Sequence, residues 1–89
     1  MDEMTTSRGQ VEDDTAIEAV VLQQLLALHP AQLTFDELVR EISGGRTDFA
    51  AVDPVDRAVH RLSAAGLVHH GEEIVRPSRA ALRFYELLE

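Results

Sequence analysis

The chain has 89 residues, 45% of them hydrophobic, with no Cys, no Trp and a formal net charge of −8 at pH 7. That length holds one small domain with a core of Leu, Val, Ile and Ala, too small to enclose a substantial pocket without a partner. Lack of Cys excludes disulfides and thiolate chemistry, no apolar run reaches a membrane span, and the acidic start carries no signal-peptide core, so a cytoplasmic protein is expected.

In chain order, Met1 to Asp14 is polar and acidic with little to bury, and it reads as a disordered tail over residues 1–14. The domain is expected over residues 15–89. Thr15-Ala16-Ile17-Glu18 fits a capping box that opens a first helix, which runs to about Leu28 and stops before Pro30. Ile17, Val21, Leu25 and Leu28 line one face of it, and Leu22 and Leu26 line another. A small three-helix core needs one stripe, so the second is expected to meet the C-terminal helix or another copy of the chain. Leu33 to Leu38 repeats the same grammar: Thr34 and Glu37 form a capping box, and Leu33 and Leu38 a hydrophobic staple. Gln32-Leu33 suits a short first strand. A second helix follows to about Ser43, burying Phe35, Leu38, Val39 and Ile42, and Gly44-Gly45 ends it. Asp48 to Ala51 suits a helical turn that drops Phe49 into the core.

The stretch from Asp53 to Pro77 organises the rest. Asp53 suits an N-cap and Pro54 the first helical position. Val55, Val59 and Leu62 then form one apolar stripe, and Gly66 sits where a left-handed cap belongs. Leu67-Val68 and Ile74-Val75 are β-prone pairs around a turn at His70 to Glu73, so a hairpin is expected. Ser78 caps a last helix on which Leu82, Tyr85 and Leu88 share a face widened by Phe84 and Leu87.

A helix burying one side and carrying Arg57, His60 and Arg61 on the other, followed by a hairpin and preceded by two helices, resembles a winged helix-turn-helix domain. The residues that carry the likeness are Arg57 to Leu62, Ala65 to Val68 and Val75 to Pro77. The pattern is similar to that of small bacterial winged-helix proteins, and eight Arg without Lys is a composition that suits a GC-rich, actinobacterial genome. The expected fold class is mainly α with a small β-hairpin: a three-helix core, a two- or three-stranded wing and an extra C-terminal helix. One departure is the connection from Arg46 to Val52, longer than the tight turn of a strict helix-turn-helix.

The resemblance implies a transcriptional regulator that binds duplex DNA as a homodimer. Arg57, His60 and Arg61 would enter the major groove, and His69, His70 and Arg76 would touch phosphates from the wing. Leu22, Leu26, Tyr85 and Leu88 would form the dimer interface. Against this stands the charge, since phosphate contacts need cations. It is uneven: residues 1–43 hold nine acids and two Arg, whereas residues 44–89 hold seven acids and six Arg. The alternative is an acidic module for protein–protein contact, with Arg57 paired to Asp53 or Asp56 on a solvated helix face. Arg76, Arg79 and Arg83 suit either a phosphate-facing ridge or ion pairs with nearby acids. No metal site is expected, because His69 and His70 point to opposite faces of a strand and no further ligand set completes one. No cofactor is expected, and no nucleophile with a base at meaningful spacing suggests an enzyme.

Overall fold

The computed structural model describes residues 2–88, with side chains from Asp14 onward. Among the described residues the order is α1 (Asp2–Leu28), β1 (Leu33–Thr34), α2 (Phe35–Ser43), α3 (Phe49–Ala64), β2 (Val68–Gly71), β3 (Ile74–Pro77) and α4 (Arg79–Leu87). The protein is therefore mainly helical with one small antiparallel sheet, ordered β1-β3-β2. That order is compatible with a winged-helix-like arrangement.

The local signals in the middle of the chain do what their chemistry dictates. The Thr34 hydroxyl accepts from the Glu37 amide at 3.1 Å, and the Glu37 carboxylate accepts from the Thr34 amide at 2.9 Å, closing the capping box of α2. Gly44 ends α2 in the left-handed region at φ 75°. At the end of α3 the Leu67 amide donates to the Leu62 carbonyl and the Gly66 amide to that of Ser63, a Schellman stop that needs the left-handed φ of 80° at Gly66. β2 and β3 follow as a hairpin with Gly71 opposite Ile74, closed by Glu72-Glu73. Ser78 caps α4, its hydroxyl accepting from the Ala81 amide at 3.2 Å.

Three expectations are corrected. The backbone of α1 starts at Asp2, so Thr15 lies inside the helix rather than at its N-cap. The tail expected over residues 1–14 falls, apart from Asp14, on residues whose side chains lie outside the described ones. Next, α3 begins at Phe49 behind Asp48, and Asp53 and Pro54 are interior residues. A proline in the second turn lacks the amide that would donate to the Ala50 carbonyl, yet the turn ahead of it is continued by Ala51 and Val52 amides donating to the Asp48 carbonyl at 2.9 and 3.0 Å. Finally, Phe49 does not enter the core: it is 80% exposed, and Ala51 takes the buried position instead.

The core sits where α1 and α2 meet α3 and the sheet. Val21 and Leu25 of α1, Leu38 and Val39 of α2, Val55, Val59 and Leu62 of α3, and Val68 and Val75 of the hairpin form one buried cluster. Each such side chain, moved from water to a packed interior, contributes about 1.5–3 kcal/mol. The sheet is tied to α2 by the Phe35 amide donating to the Glu73 carbonyl at 2.9 Å.

The capping box makes two predictions. Thr34→Ala should cost about 1 kcal/mol, read as a lower urea midpoint. The Glu37 carboxyl is held below its ordinary range by the Thr34 amide and then by its hydroxyl, and Asp48 is held low by Arg46. A carboxyl depressed in the folded state stabilises above its unfolded value and loses that contribution as pH falls through the folded one. The urea midpoint should therefore drop as pH falls through and below the carboxylate range, and Glu37→Gln should flatten part of that drop.

Candidate functional site

The arginines expected to read DNA are already occupied. On α3, Val55, Val59 and Leu62 are buried as expected, Ala58 is buried with them, and Arg57 and Arg61 stand one turn apart on the flank that meets α1. Arg57 Nη2 donates to Asp14 Oδ1 at 3.2 Å, and its Nη1 pairs with Asp53 on the preceding turn. Arg61 Nη1 pairs with Asp14 Oδ2 at 3.2 Å and with Glu18 Oε2 at 3.5 Å. Asp14 thus bridges both guanidiniums with a side chain only 10% exposed, while those of Arg57 and Arg61 are 39% and 50% exposed. Among the described residues this carboxylate has little access to water, whereas each arginine keeps a solvated edge.

The outward side of α3 carries different chemistry. His60 is exposed, its Nδ1 lying 2.9 Å from the Asp56 carbonyl and 3.6 Å from that residue's carboxylate. With Asp53 and Asp56 beside it, that side offers a phosphate more acid than base.

On the hairpin, strand alternation separates the two histidines. His69 lies opposite Arg76 in the β2–β3 register, and both are exposed on the outer face. His70 lies opposite Val75, and its ring stacks on Phe35 at 5.7 Å between centroids and 15° between planes. Both still border one open concavity at the hairpin, together with Gln32, Glu72 and Arg76. No group of three or more His, Cys, Asp or Glu among the described residues is placed to hold a metal ion.

Beyond the hairpin's outer face a cleft of about 460 Å³ opens between the α1–β1 connection, the sheet and the start of α4. His29, Pro30, His69, Arg76, Arg79 and Leu82 line it. Of the three arginines grouped by sequence, Arg83 is taken up by Glu86 at 3.2 Å. Arg76 and Arg79 have no ion pair among the described residues.

The side chains expected at a dimer seam divide as well. Leu26 is 8% exposed within a single chain, and Leu22 packs against the core, so the second stripe of α1 finds intramolecular partners. Tyr85 and Leu88 are exposed, along with Phe84 and Leu87.

Sequence reasoning missed Asp14, assigning it to a tail on composition. A signal was there. Asp14 and Glu18 are spaced i,i+4, as are Arg57 and Arg61, so two helices lying side by side can match them pair to pair. Asp14→Asn should lower stability by about 1 kcal/mol, because partly exposed pairs are discounted for screening. A double-mutant cycle of Asp14→Asn with Arg61→Gln should return a coupling of about 0.5 kcal/mol in urea titrations; strict additivity would mean the bridge carries nothing. Set against known proteins, the chain matches no family model, no curated protein and no solved structure.

Proposed function

We propose that this chain is a winged-helix-like module that acts by protein–protein contact, with α3 serving as core and not as a reader of DNA. The observation that carries the proposal is the capture of Arg57 and Arg61 by Asp14, Glu18 and Asp53. With their charge shared by these acids, the two guanidiniums offer an incoming phosphate only their solvated edges and a field already largely neutralised. The net charge of −8 and the acids beside His60 point the same way. The contact surface is the outer side of α4, where Phe84, Leu87 and Leu88 remain exposed. A partner for it would be apolar at the centre with a basic rim.

A second reading, a homodimeric DNA-binding regulator, draws on the unpaired Arg76 opposite His69 on the hairpin. In it the wing rather than α3 carries the phosphate contacts, and α4 supplies the dimer seam through Tyr85 and Leu88.

Titration of labelled duplex DNA with the wild type, Arg57→Ala/Arg61→Ala and Arg76→Ala separates them. The protein-contact reading expects negligible binding by all three at moderate salt. Salt-sensitive wild-type binding that Arg76→Ala weakens, with the α3 variant unchanged, supports the second reading. Binding lost in the α3 variant would overturn the first outright. Leu87→Asp/Leu88→Asp should shift the melting temperature by no more than a few degrees, since both side chains are exposed, yet abolish any stoichiometric complex, including a self-dimer seen by light scattering.

A further inference from the structure

We infer that the cleft between the outer sheet face and α4 is a binding site for a small phosphomonoester, with Arg76 and Arg79 as its principal donors. This goes beyond the protein-contact reading and uses a different surface.

Three observations carry the inference. The first is charge. In a chain at −8, the lining of this cleft contains two arginines, two histidines and no carboxylate. Four other arginines are held in ion pairs: Arg57 and Arg61 as above, Arg46 with Asp48, and Arg83 with Glu86. Arg76 and Arg79 make no ion pair among the described residues, and both line one concavity.

The second is local cost. Arg79 occupies the first position of α4, and no acid lies in that first turn. A cation at a helix start is opposed by the macrodipole, and Arg76 sits in the neighbouring strand end on the same cleft. An anion in the cleft beside Arg79 relieves that repulsion. Residues that break a local rule without internal compensation are expected at functional positions.

The third is shape and chemistry. The polar lining comes from four separate segments, namely the α1–β1 connection (His29), β2 (His69), β3 (Arg76) and α4 (Arg79). Guanidiniums bind phosphate through paired N–H groups. Pro30 and Leu82 add an apolar wall, which a bare inorganic ion leaves unused. A volume near 460 Å³ suits a molecule of several heavy atoms beyond the phosphate.

The test uses the full chain at fixed ionic strength, with phenyl phosphate, inorganic phosphate and benzoate as probes, followed by calorimetry and amide chemical shifts. Phenyl phosphate should bind saturably at one site per chain, more tightly than inorganic phosphate and at least about tenfold more tightly than benzoate. The shifts should centre on His69, Arg76 and Arg79 in the wild type, a readout that needs no variant. Arg76→Gln/Arg79→Gln, whose exposed side chains keep their aliphatic stems, should weaken phenyl phosphate at least about tenfold, with Arg46→Gln unchanged. Linear, non-saturating shifts, equal affinity for benzoate, or indifference to the double substitution would overturn the site. A short DNA duplex that displaces phenyl phosphate and binds these residues more tightly would overturn the small-molecule assignment in favour of nucleic acid.

Discussion

The arrangement of this protein depends on how α1 lies along α3. Val21 and Leu25 on one helix meet Val55, Val59 and Leu62 on the other in a single buried cluster, and burial of that seam is the largest favourable contribution available to so short a chain. Once the two helices are packed side by side, the flank of α3 that carries Arg57 and Arg61 borders α1, within reach of its acids. The i,i+4 spacing of both arginines and both acids then makes pairing nearly automatic. Hydrophobic packing sets the helix approach; the ion pairs register it, fixing which turn of α1 sits beside which turn of α3. With Asp14 nearly buried and shared by two guanidiniums, the register is costly to slip.

This hierarchy explains why a helix placed like a reader offers so little to read with. The winged-helix resemblance assigns the third helix a groove-facing side, and the seam-inward half of that expectation holds: the valines and the leucine are buried, a ribbon follows Gly66, and His60 looks out. What differs is the direction of two side chains. Their guanidiniums lean toward the acids of a neighbouring helix, so positive charge on that half-exposed flank is offset by carboxylates. Uncompensated charge lies instead on the far side of the sheet. Two surfaces thus remain with chemistry to spare, an apolar one on α4 and a cationic cleft beside it.

Much of the architecture was legible from residues alone, because its signals are local. Thr34 with Glu37, Gly66 after Leu62, and Ser78 before Ala81 each announce an element end through a bond made within a few positions. The start of α3 was not legible in the same way. Asp53-Pro54 has the composition of a helix start, and it took the preceding turn, anchored on Asp48, to start the helix five residues earlier. The side on which Arg57 and Arg61 end up is non-local: a helical wheel tells which residues oppose an apolar stripe, not how wide an arc the neighbouring helices cover. Phe49 failed for a related reason, since the small Ala51 two residues on already fills the inward position of that turn.

The tightness of the hairpin limits the geometry of anything it touches. Four-residue strands closed by two residues reach about 13 Å from base to tip, and the tip itself is occupied by Glu72 and Glu73 and moored to α2 through Phe35. Such a ribbon is a buttress and not a probing finger. Whatever docks beside it has to come to the body of the protein and be met broadside, at the level of His69 and Arg76, which favours compact visitors over long ones that must be straddled.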